Sequence, residues 1–315
     1  MDKKQLAIII LSVATAGILI FMVIDIWNSI NDVRRSQKMR LAIQGQTPAL
    51  QRMQVAASFY PLYFFSQQIA GDKADVVQII QAGSDPSKYN LTAGNITNIE
   101  NSKLIILNGL GLESWFTDAQ NIVNAKKGFF VDVSKSIDEN DLVFDGDHTD
   151  YHIWLSAKLA DNIIEEILQG FLKADPQNAE FYKSNAESLK SKVQQIDSEF
   201  ETGLQNCSSK NIFVLSTGFS YMARDYNFGQ VSLLEPGQTG QLSQKQQENI
   251  ADFVKKENVQ YIFWESKLSL EATESMEKKI GSKILTINLA EAGDVDYFSA
   301  MQENLNNLKT ALRCQ

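Results

Sequence analysis

From residue 53 onward, short apolar runs alternate with stretches whose apolar positions recur every three or four residues. The runs predict strands over 54–58, 75–80, 103–108 and 128–133, and again over 211–216, 230–234, 259–265 and 283–288. The stretches predict helices over 61–70, 93–101 and 112–125, then over 218–226, 244–256, 270–280 and 294–312. Ser243 and Gln246 form a capping box at the start of one of them. Runs such as LIIL (104–107) and IFVL (212–215) are apolar throughout. Strands buried on both faces of a parallel sheet read this way. The alternation predicts an α/β fold of two lobes, each a mostly parallel four-stranded sheet with helices on both faces.

Residues 153–172 and 176–204 have long helical patterns, separated by Asp175-Pro176. The second is too long for a crossover within a small domain, so it is expected to join the lobes as a rigid helix. The N-terminal 52 residues differ from the rest. Residues 6–24 are 19 consecutive residues without a charge. As a helix they would span roughly 28 Å, the thickness of a bilayer core. Lys3 and Lys4 precede the run, and no A-x-A site or lipidatable Cys follows it. The expectation is an uncleaved signal anchor or transmembrane helix over 1–27, with Trp27 at the interface. A polar stalk over 28–52 then leads to an N-terminal lobe (53–152), linking helices (153–206) and a C-terminal lobe (207–315).

Charge sharpens this division. Residues 1–52 carry seven bases against three acids, +4, which leaves −13 on the remainder of a chain whose net charge is −9. An acidic body is a poor partner for a phosphate backbone, which argues against nucleic-acid binding. There is no P-loop, G-x-S-x-G elbow or C-x-x-C, so an enzyme is not expected. Cys207 and Cys314 are the two cysteines. Behind a membrane anchor they are expected to pair; in a reducing compartment they would stand as unrelated thiols. The pairing favours placing residues 28–315 outside the membrane, against the pull of Arg34, Arg35, Lys38 and Arg40 towards the cytoplasm.

The segment VAASFYPLYFFSQQIAGDKADVVQIIQAGSDPSKYNLTAGNI, followed by LIILNGLGLESW, YHIWLSAKLADNI and ADPQNAEFYKSNAESL, resembles the substrate-binding subunits of zinc and manganese ABC importers. The resemblance covers nearly all of 53–315. It implies a membrane-anchored extracytoplasmic solute-binding protein, monomeric, that carries a divalent metal ion to an ABC permease. The alternatives on the same scaffold are a metal-free surface interaction or adhesion protein, and a carrier retuned to another small ligand.

By that resemblance the metal-binding positions fall on Ser87, His152, Ser216 and Asn288, of which only His152 keeps an imidazole. One imidazole among neutral oxygens predicts weakened zinc or manganese binding. Glu265, at the end of the apolar run YIFWE, is the expected substitute anion, or else the partner that orients His152. Asp145, Asp147, His148 and Asp150 lie with His152 in DGDHTDYH, and are expected to form a loop that holds a metal loosely.

Overall fold

The computed structural model describes residues 25–27, 29–35, 52–145, 148–215, 218–234, 242–265 and 270–315. The chain divides into two compact units, Met1–Gln51 and Arg52–Gln315. In the first, residues 25–27 and 29–35 are helical and expose Ile26, Trp27, Ile30 and Val33. Among the described residues no helix is long and apolar enough to cross a membrane. The expected span over 6–24 lies outside the described residues.

The second unit contains two four-stranded parallel sheets. The first comprises β1 (Met53–Ala57), β2 (Ala74–Gln78), β3 (Leu104–Leu107) and β4 (Phe129–Asp132), in the order β2-β1-β3-β4. A short hairpin follows, β5 (Phe144–Asp145) with β6 (His148–Thr149). The second sheet comprises β7 (Asn211–Val214), β8 (Gly229–Ser232), β9 (Tyr261–Trp264) and β10 (Lys283–Thr286), in the order β10-β9-β7-β8. Numbered within its own lobe, each sheet therefore has the order 2-1-3-4. The connections diverge between its first and third strands. That switch point, at the strands' carboxyl ends, is where open α/β sheets place their ligands.

In the first lobe, helices α1 (Tyr60–Ala70), α2 (Ala93–Asn101) and α3 (Phe116–Ala125) connect the strands. The pattern over 112–125 predicts an earlier start for α3. It begins late because Glu113 is buried in the preceding turn, where it accepts the N–H groups of Asn108 and Gly109 at 2.8 and 3.1 Å. Gly109 stands at φ +80°, and a Cβ there would come within 2.1 Å of Asp132 Oδ1, so the turn requires glycine.

Ser156 caps α4 (Ala157–Ala174), its hydroxyl accepting from the Leu159 N–H at 3.1 Å. Next comes α5 (Ala179–Leu204), 26 residues long. It buries Tyr182, Ala186, Leu189, Val193, Ile196, Phe200 and Leu204, a stripe recurring every three or four residues along its whole length. That stripe packs on α1 of the first lobe and on α9 (Tyr297–Leu312) of the second, so one helix spans both lobes. The remaining second-lobe helices are α6 (Ser220–Asp225), α7 (Gln244–Glu257) and α8 (Leu270–Ile280). One apolar core runs continuously through both lobes, and a smaller one (Ile250, Val254, Ile262, Ile280) fills the other face of the second sheet.

A disulfide joins Cys207, after α5, to Cys314, after α9. The N–H groups of Ser208 and Ser209 also donate to the carbonyls of Arg313 and Leu312, at 3.3 and 2.9 Å. The bond closes a loop with a sequence separation of 107. The chain-entropy model assigns such a loop about 4–5 kcal/mol, less any strain. Replacing both cysteines by serine should therefore lower the unfolding free energy read from urea titration by an amount of that order, with a lower urea midpoint. A shift within error would show that the backbone pairing alone secures this end.

Candidate metal centre

His152 sits at the start of a single turn of 3-10 helix (Ile153–Leu155) between the lobes. It is buried, and its Nδ1 lies 2.6 Å from Asp150 Oδ1. The same Asp150 oxygen accepts the His152 backbone N–H at 2.9 Å. A carboxylate on Nδ1 sets the ring's orientation and leaves Nε2 for another partner, as in carboxylate–histidine–metal triads. Gly218 lies beside Nε2, where a Cβ would stand 3.4 Å from Nε2 and from Cε1.

Both lobes hold the segment that carries this ring. From the first lobe, buried Asn108 donates through Nδ2 to the Tyr151 carbonyl at 3.0 Å. From the second, the Tyr221 hydroxyl donates to the Asp150 carbonyl at 2.7 Å. Tyr297 donates likewise to the Trp154 carbonyl, also at 2.7 Å. Trp154 is fully buried and donates through Nε1 to the Leu289 carbonyl at 2.8 Å, so it fills core and is not a stacking platform for a ligand.

Two glutamates act on the ring through their charge. Glu265 follows β9 at the second lobe's switch point, and Glu291 follows β10. Burial pushes both carboxyl groups up to about 7, against the favourable pull of His152. Asp85 and Glu265 raise Glu291 further by repulsion. Glu265 Oε1 is buried without a hydrogen-bond partner. For His152, burial disfavours the imidazolium, but the Asp150 hydrogen bond and the charges of Asp150, Glu291 and Glu265 prevail and hold its pKa above the ordinary value. Asp150 is the converse: burial opposes its ionisation, yet its bonds to His152 hold its pKa below the usual carboxylate value.

These positions revise the expectations. Asp150 does not belong to a loose metal loop, because it is buried and bonded to His152. It, and not Glu265, orients the ring. His148 is exposed on β6, its backbone paired with Asp145. Asp147 and Ser216 lie outside the described residues. Asn288 is committed elsewhere: its Oδ1 accepts the Ala290 N–H at 2.7 Å, and its backbone pairs with the buried side chain of Asn304. Ser87 donates to Asp85 Oδ1 at 2.7 Å in the turn before α2. Sequence reasoning missed Glu291. The usable signal was the A-E pair just past the last strand, a carboxylate at a strand's carboxyl end.

Among the described residues, no three His, Cys, Asp or Glu side chains are already gathered to coordination distance. The donors present do fit a divalent ion chemically. Two carboxylates balance its charge, an oriented imidazole supplies nitrogen, and an orphaned buried oxygen gains a partner.

A carboxyl group whose folded pKa is raised contributes stability fully below its unfolded value, 4.5, and loses it as pH rises through about 7. In chelator, the urea midpoint should therefore fall between those values. Glu265→Gln with Glu291→Gln should flatten the fall; the stability that Asp150 gives protonated His152 is lost as pH rises above 6.5 in both proteins, less steeply in the variant, which lacks the glutamates' charges. Parallel profiles for the two proteins would show that neither glutamate is strained by burial.

The family model described as "Zinc-uptake complex component A periplasmic" (ZnuA) matches residues 55–311. The High-affinity zinc uptake system protein ZnuA of Bacillus subtilis (strain 168) is 28% identical over 284 residues, 83% of this chain and 88% of that protein. The Zinc-binding lipoprotein AdcA of Streptococcus pneumoniae (strain ATCC BAA-255 / R6) is 26% identical over 85% of this chain, which spans 58% of AdcA's length. The crystal structure of the Zn(II)-bound ZnuA-like domain of Streptococcus pneumoniae AdcA superposes with a TM-score of 0.75 at 26% identity, covering 83% of this chain and 99% of that one. With a family match over most of the chain, and the same two-lobed fold around His152, the protein belongs to the ZnuA family of zinc-uptake components.

Proposed function

We propose that this protein is an extracytoplasmic receptor that binds a divalent cation, zinc in the first instance, and delivers it to an ABC permease. It is a carrier and not an enzyme. The observation that carries this reading is the buried His152, oriented through Nδ1 by Asp150, with the charges of Glu265 and Glu291 acting on it. Loss of the family's imidazoles at Ser87 and Ser216 and of its carboxylate at Asn288 is offset by these two carboxylates, which together neutralise a dication. In the empty protein burial opposes their simultaneous ionisation; a bound cation removes that penalty and displaces the proton from His152.

The relatives are described as a zinc uptake protein and a zinc-binding lipoprotein, which supports an extracytoplasmic place for this chain. Here the uncharged run over 6–24 would serve as the anchor, with 28–52 as the stalk. The disulfide between Cys207 and Cys314 is at home in that compartment.

Calorimetric titration of the full chain with zinc should show one site. His152→Ala should abolish it, and Asp150→Asn, which keeps the shape but loses the orienting charge, should weaken it about 10–100-fold. His148→Ala should leave the site unchanged. Tight stoichiometric binding that survives His152→Ala would overturn the assignment.

A further inference from the structure

The helical stretch of the first unit takes part in neither the two-lobed body nor the candidate centre. Residues 25–27 and 29–35 are helical, and Ile26, Trp27, Ile30 and Val33 are 59%, 65%, 45% and 58% exposed. Ile26, Ile30 and Val33 recur at intervals of four and three, so they share one face, and with Arg34 they line an open groove. Arg34 stands seven positions after Trp27 and therefore flanks it on the same side, whereas Asp32 falls on the opposite face. The segment RRSQKMR (34–40) carries four bases and no acid, while residues 53–315 carry −13. An apolar face bearing Trp, with bases beside it, is the pattern of a helix that lies in a membrane interface.

We propose that residues 25–35 lie flat on the outer surface of the membrane, apolar face down, held there by anionic lipid headgroups that the bases over 34–40 attract. This rests on the reading that the run over 6–24 anchors the chain. That run ends at Ile24, directly before this helix, so the apolar face begins at the interface. Standing upright as a stalk, the helix would leave Ile26, Trp27 and Ile30 in water; laid flat, it buries them at the acyl boundary. The charges agree. Anionic headgroups repel the acidic body and attract the basic segment, and both effects reach over a screening length of about 8–10 Å. A second copy of the chain fits this face less well. The next positions at the same spacing are Gln37 and Arg40, and a coiled coil needs an apolar seam over about three or four heptads. The stalk then rises only beyond Arg40, and the basic segment offsets the repulsion between the acidic body and the membrane beneath it.

The test uses the full chain in vesicles of equal parts phosphatidylcholine and phosphatidylglycerol, with a nitroxide on Ile30→Cys or on Asp32→Cys. The native cysteines are bonded to each other and take no label. The label at 30 should lose its collisions with an aqueous nickel chelate and keep those with oxygen, while the label at 32 stays open to nickel. Adding Arg34→Glu with Arg35→Glu, or using pure phosphatidylcholine, should restore nickel access at 30. Nickel access at both positions, in a chain that stays with the vesicles, overturns the surface helix and leaves the anchor intact. Shielding at both positions places the helix inside the bilayer and overturns it too. So does spin–spin broadening at 30, which would pair the face with a second copy. Shielding at 30 that survives the two arginine replacements overturns the part given to the headgroups. A chain washed from the vesicles by carbonate overturns the anchor as well.

Discussion

Everything at the candidate centre depends on how the segment from Asp150 to Leu155 is held. It forms no part of either sheet, yet its carbonyls at Asp150, Tyr151 and Trp154 each accept a hydrogen bond from a buried or part-buried side chain. One donor comes from the first lobe and two from the second. A loop buried between lobes carries backbone groups that water does not reach, and each would be costly if left unpaired. Satisfying them from both sides fixes the segment, and with it the His152 ring, relative to each lobe.

That constraint gives the NGLGLE turn of the first lobe a role. Glu113 takes up the N–H groups at Asn108 and Gly109, Gly109 lets the chain pass Asp132, and Asn108 can then reach the Tyr151 carbonyl. A buried carboxylate without a cation of its own is an expensive way to shape a turn; burial raises its pKa despite the two N–H bonds. Through two hydrogen bonds, by way of Asn108, it supports the residue next to His152. The spanning helix Ala179–Leu204 and the core continuous through both lobes complete this rigidity. A site on such a frame needs small side-chain adjustments more than a large lobe rotation to gather its donors.

The electrostatics of the centre run against ordinary stability. Glu265 and Glu291 repel one another through a low-dielectric interior, and burial raises both pKa values to about 7. His152 relieves this only partly, since Asp150 already engages it. Acids perturbed in this way mark a candidate site, and a cation would lower the cost of ionising them. Perturbed acids with one orphaned oxygen mark a place where folding has left a charge deficit for a ligand to fill.

The two-lobed architecture was legible in the residues, because parallel strands covered on both faces must be apolar throughout and their connecting helices amphipathic. The run at 104–107, the stripe from Tyr182 to Leu204 and the capping box at Ser243 each report a local rule that packing did not override. His152 was singled out by the resemblance, as the one expected position that keeps an imidazole, and it lies buried on the segment held by both lobes. Its partners were not. Asp150 lies two residues away in an acidic stretch whose composition suggests a solvated loop, and only burial by Tyr221 and the second lobe makes it the orienting carboxylate. Glu291 is 139 positions from His152 in the chain. Periodicity determines which face of an element is buried. Which strand ends converge, and so which acids share one histidine, is decided by the packing of two sheets, a property that no local stretch of sequence carries.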